Sequence, residues 1–333
     1  MEQFVDNFPN EEAHLTGEEI HRRLDEIEQI HAIYSPARLG LAAAIACCAF
    51  TFLLGGGPIE MMLAFIAAGI GNLIRTKLIK HHFTLFLNIA VSISASCFIY
   101  AALLKIAEMA FNVPSIHEAG YICSMLFIIP GFPFITSGID LAKLDLRSGL
   151  ERLAYAIIIV MVATMFAWIM ALLLQLKPMD FEDLDLGPVL HLILRLIMSF
   201  FGVFGFSIMF NSPAPMAATA ALIGAIANSL RLELVDLTGM PAPAAAFAGA
   251  LTAGLLASFI KENNGYPRIS LTVPSIVIMV PGLYLYRAIY NFGIMALSDA
   301  VSWFASAIMI IIALPLGLIF ARILTDKTFR YCT

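Results

Sequence analysis

Ten long apolar stretches run along this chain of 333 residues, and they restrict its fold more than any other feature. A helix needs about 20 apolar residues to cross a hydrocarbon layer of about 30 Å, and each stretch is close to that length. Only 13% of the residues are charged, against about 25% in soluble domains. The pattern predicts an all-α polytopic membrane protein and argues against a soluble enzyme. The predicted spans are 39–56, 58–75, 83–104, 117–140, 149–175, 188–210, 214–232, 243–260, 270–290 and 300–323.

A polar segment, 1–37, precedes the first span. Thr16 and Glu19 have the spacing of a capping box, which predicts the start of an amphipathic lead-in helix. Its apolar positions would be Ile20, Leu24, Ile27 and Tyr34. We expect this helix on the cytoplasmic face, and a short tail, 325–333, on the same side after the last span.

The distribution of the 19 Lys and Arg residues predicts the orientation, because basic residues near span ends are retained in the cytoplasm. With the N-terminus inside, most of them fall on the inner face, and Arg195 lies within a span. The exceptions on the outer face are Lys105, Lys177, Arg231 and Arg287. Both termini are therefore predicted to be cytoplasmic.

Short matches between the two parts of the chain suggest an internal duplication. Pro130-Gly131 falls on Pro281-Gly282 at an offset of 151, and Asn72 falls on Asn228 at an offset of 156. The repeats would be 38–177 and 188–324, with five spans each. Because five is odd, the second repeat would enter the membrane from the opposite side, as in many transporters that alternate between two open states.

Proline and glycine predict that the fourth and ninth spans are broken near the middle of the membrane. Pro130, Pro133 and Pro281 remove main-chain donors, and glycine next to them adds conformational freedom. Main-chain groups exposed by such a break cannot be satisfied by lipid, so a break must be buried in protein or line a watered cavity. The half-helices that follow would present free N–H groups and a positive dipole end to a carboxylate.

Polar residues near the breaks are the candidates for substrate binding. An asparagine amide can donate to a carboxylate and accept from an ammonium group, but it can equally hold two helices together. The candidates are Asn72, Asn228, Gly131, Phe132, Thr136, Gly282, Tyr284 and Asn291.

Ionisable residues inside spans are costly and often functional. Asp140 follows the first break and corresponds to Asn291, so it is the candidate proton carrier; alternatively it pairs with Lys143 or Arg147 at a helix end. Glu60 is predicted to be a solvated helix end. The candidates for a gate or ion pair are Arg152, Arg195, Glu233 and Asp236. Arg195 either extends outward or pairs with one of the two acids.

Other function classes find little support. The net charge of −5 and the absence of a basic cluster argue against nucleic acid as a partner. No zinc-protease, nucleophile-elbow or phosphate-loop motif is present, and the five cysteines lack metal-ligand spacing. We expect no catalysis, no metal and no cofactor. The expected partners are the lipid bilayer, a small zwitterionic or anionic metabolite and protons; a homo-oligomer remains open.

Several motifs resemble the threonine/serine exporter family. They are Tyr34…Arg38…Ala42-Ala43-Ala44…Phe50-Thr51-Phe52-Leu53-Leu54-Gly55-Gly56, then Pro130-Gly131…Gly138-Ile139-Asp140-Leu141…Ser148-Gly149-Leu150-Glu151-Arg152, and Val280-Pro281-Gly282-Leu283-Tyr284…Arg287. The resemblance runs from about residue 20 to the end. It implies a ten-span exporter of small hydrophilic metabolites in a bacterial inner membrane, driven by the proton-motive force.

The resemblance and the residues together predict a proton-coupled exporter of threonine or serine that works by alternating access. Some split-chain members of the family are associated with dicarboxylate export, so a dicarboxylate exporter is the first alternative, and a membrane scaffold or channel is the second. Broken fourth and ninth spans are also similar to those of bile-acid symporters and sodium/proton antiporters, in which the interrupted helices cross.

Overall fold

The computed structural model describes residues 15–28, 33–111, 114–182, 184–264 and 266–330. Within these ranges the chain forms helices and turns and no strand. The predicted all-α class is therefore confirmed. The remaining parts of the predicted lead-in segment and tail lie outside the described residues.

In the part of the chain that the structure describes, eight unbroken helices are long and apolar enough to cross a membrane. They are α2 Pro36–Leu53, α3 Pro58–Lys80, α4 Leu85–Phe111, α6 Leu146–Leu174, α7 Pro188–Met209, α8 Ala214–Thr238, α9 Ala242–Asn264 and α12 Leu297–Thr325. Among the described residues, two short helices precede and follow these spans: α1 Gly17–Glu28 and α13 Lys327–Arg330. With the two bent pairs described next, the number of candidate spans rises to 10, as predicted.

The fourth and ninth predicted spans are each broken. The first broken span consists of 3₁₀ helices Ser115–Tyr121 and Cys123–Ile128, which we call the first arm, followed by α5 Gly131–Ala142. The second consists of α10 Arg268–Ile276 with the 3₁₀ turn Val277–Met279, which we call the second arm, followed by α11 Gly282–Gly293. The bends are 54° and 43°.

Proline shapes both breaks in the same way. Pro130 has φ −81° and ψ 62°, and Pro281 has φ −81° and ψ 56°, which are the angles of an inverse γ-turn. The amide of Gly131 donates to the carbonyl of Ile129, and the amide of Gly282 donates to that of Val280, both at 2.8 Å. Each break is thus a closed turn rather than a frayed helix.

The turns after the broken spans also correspond at the predicted offset of 151. Leu144 and Met295 have φ 62° and 61°, and they occupy matching places before α6 and α12. Main-chain bonds back to Asp140 and Asn291 close these turns, at 3.1 Å and 2.9 Å. The matching turns agree with a duplication, and the inverted relation of the two halves stays a prediction.

The two halves also pack by the same scheme. In the first, α2 contacts α3, α3 contacts α4, and α6 contacts both α4 and α5. In the second, α7 contacts α8, α8 contacts α9, and α12 contacts both α9 and α11. Helices α2 and α7 pack against each other and join the halves.

The two breaks lie against each other in the core. A methyl group added at Gly131 would sit 2.6 Å from Val277 Cγ2 in the second arm. One added at Gly282 would sit 2.9 Å from Leu126 Cδ2 in the first arm. Glycine at each break therefore lets the other broken span approach closely.

Contacts between loops define two faces. The amide of Ile33 donates to Asn211 Oδ1 (2.9 Å), and the Tyr34 hydroxyl donates to the Ser212 carbonyl (2.9 Å); we call this the terminal face. Tyr34 was predicted to belong to the lead-in helix, but the described part of α1 ends at Glu28 and Tyr34 lies in a bend beyond it. On the opposite face, Phe181 lies over Gly55.

Candidate functional site

A cavity of about 230 Å³ lies beside the second break, on the side of the opposite face. Its wall is formed by the end of the second arm, the first turns of α11, and parts of α2, α8 and α12. The lining residues include Phe50, Leu53, Leu54, Arg231, Leu232, Val235, Ile278, Met279, Val280, Pro281, Gly282, Leu283, Tyr284, Arg287, Trp303 and Ile310. Most of the wall is apolar, so its few polar groups determine what can bind.

Two arginines bring positive charge to this cavity. Arg231 comes from α8 and Arg287 from α11, and the Nε atoms of both are buried with no hydrogen-bond partner among the residues that the structure describes. A guanidinium group carries five donors in a planar fork that fits a carboxylate. Buried donors without a partner are costly, and a bound anion would satisfy them.

Arg287 is held in place by its neighbours. Its Nη2 lies 2.7 Å from Asp180 Oδ1 and donates to the carbonyl of Met179 at 3.2 Å. Its guanidinium carbon lies 4.8 Å from the centre of the Trp303 ring, and the Tyr284 ring packs edge-on against the same ring. Asp180 belongs to the loop between α6 and α7, and its side chain is 89% exposed. One acid from an exposed loop is therefore paired with Arg287.

The start of α11 adds a further positive end. The first main-chain bond of this helix runs from the amide of Leu285 to the carbonyl of Pro281, so the amides of Leu283 and Tyr284 precede the helical ladder. Helix N-termini carry partial positive charge and bind anions. The carbonyl groups at the end of the second arm could accept from an ammonium group in the same cavity. The arrangement can therefore bind a carboxylate, with or without an amino group.

Family models match nearly the whole chain. The model described as "Putative threonine/serine exporter" matches residues 1–175, and the model described as "Threonine/Serine exporter, ThrE" matches residues 195–324. The chain belongs to the threonine/serine exporter family. It is accordingly a multi-pass membrane protein of a transporter family.

Two curated relatives are similar to this threonine/serine exporter family member over about half of its length. "Probable succinate transporter subunit YjjP" of Escherichia coli (strain K12) is 28% identical over 153 residues, which is 46% of this chain and 57% of the relative. The protein of the same name from Klebsiella aerogenes is 25% identical over 158 residues, 47% of this chain and 58% of the relative. The chain thus spans little more than half the length of either relative. No solved structure matches it.

Of the substrate contacts predicted for this family member, Gly282 and Tyr284 line the cavity, together with Pro281. Asn291 lies one turn beyond Arg287 on α11, and its side-chain amide donates to the Arg287 carbonyl at 2.8 Å. The structure therefore brings part of the predicted set together at the second break.

The predicted residues of the first break lie elsewhere. Gly131 packs against Val277, and the Phe132 ring packs edge-on against Phe210, with ring centres 5.2 Å apart. The buried hydroxyl of Thr136 donates to the carbonyl of Phe132 in its own helix, at 3.0 Å. Pro133 lies in the first turn of α5, where a missing amide costs little. Substrate contact by these residues stays a prediction.

The two asparagines at matching positions both bond to a neighbouring helix. Asn72 Nδ2 donates to the carbonyl of Leu39 at 2.9 Å, and Asn228 Nδ2 donates to Ser199 Oγ at 2.8 Å. Both side chains are buried, which agrees with the alternative of an interhelical link. Asn228 differs in that its Oδ1 is buried and accepts no hydrogen bond from the described part of the chain.

Asp140 forms an ion pair with Arg152, and not with Lys143 or Arg147 as the alternative prediction had it. Its Oδ2 lies 3.0 Å from Arg152 Nη1, whereas Arg147 pairs with Glu151. The Asp140 side chain is 18% exposed at the terminal-face end of α5. A carboxylate so placed can exchange a proton with water, and its role as proton carrier stays a prediction.

Arg195 lies between the two acids considered as its partners. Its Nη1 lies 2.7 Å from Glu233 Oε1, and its Nη2 pairs with Asp236. These ion pairs join α7 to α8 near the opposite face. The alternative prediction, in which Arg195 extends outward, is wrong, because its side chain is only 11% exposed.

Sequence reasoning placed Arg231 and Arg287 on the outer face but gave them no part in the site. The sequence does place both arginines close to predicted site residues. Arg287 is five residues after Gly282, and Arg231 is three residues after Asn228. Among the described residues, no group of three or more His, Cys, Asp or Glu side chains has the arrangement of a metal site.

Proposed function

We propose that this chain is a secondary active exporter of small hydrophilic amino acids, with threonine and serine as substrates. The observation that carries the proposal is the cavity beside the second break, which combines buried arginine donors with the start of α11. The substrate carboxylate would bind Arg287, Arg231 and the first amides of α11. The ammonium group would bind the carbonyls at the end of the second arm.

Contact between the two breaks supports a mechanism of alternating access. In this arrangement the cavity lies toward the opposite face, near the solvated loop that carries Asp180. Movement of the broken spans relative to the α2 and α7 pair would open the site toward the terminal face. We assign the terminal face to the cytoplasm of a bacterial inner membrane, because most basic residues lie there.

Proton coupling is assigned to Asp140. Its carboxylate pairs with Arg152 in this arrangement, and movement of α5 during transport would separate the two side chains. The matching residue in the second half, Asn291, cannot titrate, so only one of the two sites would carry a proton.

A dicarboxylate such as succinate is the second candidate substrate. Two arginines in one cavity favour it, because each can hold one carboxylate. The two curated relatives are named as probable succinate transporter subunits, which supports a dicarboxylate substrate.

Counterflow in proteoliposomes tests the proposal. We expect the purified protein to exchange labelled threonine and serine, and an imposed pH gradient to drive their accumulation. Exchange of labelled succinate in place of the amino acids would favour the second candidate. Absence of saturable exchange with all three compounds would contradict an exporter and favour a scaffold or channel.

A further inference from the structure

Glu60 is buried rather than solvated, contrary to the expectation from its position at the start of α3. Its relative exposure is 4%, and its Oε1 lies 2.6 Å from His117 Nδ1. Its Oε2 accepts a hydrogen bond from the amide of Gly57 at 3.0 Å. A carboxylate and an imidazole are therefore in hydrogen-bond contact at a largely buried position.

The His117 side chain retains 12% exposure toward the opposite face. Burying a carboxylate and an imidazole is expensive, and apolar residues of similar size often pack there at no cost in stability. The pair takes no part in the cavity with Arg231 and Arg287. A buried acid and histidine inside a membrane protein are typical of proton pathways.

The surroundings of the pair contain few other titratable groups. From α4, the Tyr100 hydroxyl donates to the main-chain carbonyl of His117 at 2.7 Å. Cys123 of the first arm lies within electrostatic range of Glu60. Farther out, Lys105 and Glu108 pair with each other at 2.9 Å, and they line a cavity of about 270 Å³ with Glu118. Glu118, which lines that cavity, is the residue next to His117 in the chain.

The pair is connected to the substrate cavity through one loop. Gly57, which donates to Glu60, follows Leu53 and Leu54, which line the cavity. His117 belongs to the first arm, which meets the second break at Leu126. A change of charge at the pair would therefore affect both the mouth of the cavity and a broken span.

We propose that Glu60 and His117 form the proton-binding site of the transport cycle on the opposite face. This inference rests on the proposed proton-coupled export. His117 accepts a proton from water at that face, and the resulting imidazolium is held by the Glu60 carboxylate. Displacement of the first arm separates the two side chains, and the imidazolium then releases its proton to water on the path to Asp140 at the terminal face.

Proteoliposome transport by Glu60→Gln and His117→Gln tests the proposal, with Glu118→Gln as the matched control on the same arm. For one proton per cycle, a pH difference of about one unit gives about tenfold accumulation of labelled threonine or succinate. We expect both test variants to keep counterflow and lose this accumulation, while Glu118→Gln keeps both. Size-exclusion profiles and thermal midpoints establish that each variant is folded.

The outcomes separate the two proposals. If the wild type exchanges substrate and both test variants still respond to the pH gradient, the proton site is overturned and the exporter stands. If a folded test variant loses counterflow as well, the pair has a structural role and the proton site is again overturned. If the wild type shows no counterflow, the exporter itself is contradicted, and the proton site falls with it.

Discussion

The hydroxyl groups of Tyr121 and Tyr286 lie 2.5 Å apart, and this hydrogen bond joins the first arm to α11. Both side chains are fully buried, and their rings meet edge to face with centres 5.8 Å apart. The residues are 165 positions apart in the chain. Each belongs to a different broken span, so the bond is a direct polar link between these two spans.

Removing both hydroxyls of this pair should destabilise the protein by less than the sum of the two single losses. Tyr121→Phe or Tyr286→Phe leaves one buried hydroxyl unsatisfied, at a cost of about 1–3 kcal/mol. The double variant leaves none, so its loss should be smaller than the sum. Unfolding in detergent, analysed as a double-mutant cycle, measures the coupling. Strictly additive losses would contradict a direct bond.

A methyl group at the first break should be poorly tolerated. In Gly131→Ala the new Cβ would lie 2.6 Å from Val277 Cγ2, and valine has little rotamer freedom to give way. We expect a loss of about 1–3 kcal/mol, as for other overpacked cores. The control is Gly187→Ala, because no atom lies within 4 Å of the added group there. Equal thermal midpoints for the two variants would contradict the close packing of the breaks.

Arg287→Gln should weaken substrate binding. A hydrogen bond to a charged group contributes about 1.5–3 kcal/mol, so KM for the transported carboxylate should rise roughly tenfold to a hundredfold. Arg38→Gln, at the terminal-face start of α2, serves as a control for loss of one basic charge. Concentration-dependent counterflow measures both. An unchanged KM would mean that the substrate does not bind at this arginine.

Asp180→Asn should have the opposite effect. In this structure the Asp180 carboxylate pairs with the Arg287 guanidinium, so it would compete with a substrate carboxylate for the same donors. Removal of its charge should lower KM. Asp185→Asn is the matched control, since Asp185 is an exposed acid in the same loop. If KM rises in Asp180→Asn, the aspartate assists binding instead of competing with it.

Asp140→Asn should separate driving force from exchange. The amide keeps the size of the side chain but cannot carry a proton, so accumulation driven by a pH gradient should disappear while counterflow continues. Asp299→Asn, an exposed acid in the first turn of α12, provides the comparison. If Asp140→Asn retains gradient-driven accumulation, Asp140 is not the proton carrier.

The breaks could be predicted from sequence because their cause is local. Pro130 and Pro281 remove a donor and fix their own φ, whatever lies around them. The spans could be predicted for a similar reason, since length and hydropathy alone decide whether a helix can cross a membrane. Their observed ends differ from the predicted ones by a few residues, mainly where polar residues such as Lys77 and Glu108 continue a helix beyond the apolar stretch.

The contents of the site could not be predicted, because they depend on contacts between distant residues. Arg287 and Met179 are 108 positions apart in the chain, and no pattern in either segment predicts that they are in contact. Glu60 shows the same difficulty. An acid at the start of a helix is ordinarily solvated, and only the return of the chain at His117, 57 positions later, buries it.

The two proline turns limit how this exporter family member can move. A proline ring holds φ near −65°, and a hydrogen bond across each break restrains what freedom remains. We therefore expect that neither break acts as a hinge. Each broken span should move as one rigid body, and the connections at its ends should bend instead. The angle between the two parts of a broken span should therefore stay the same when the site opens to the other face.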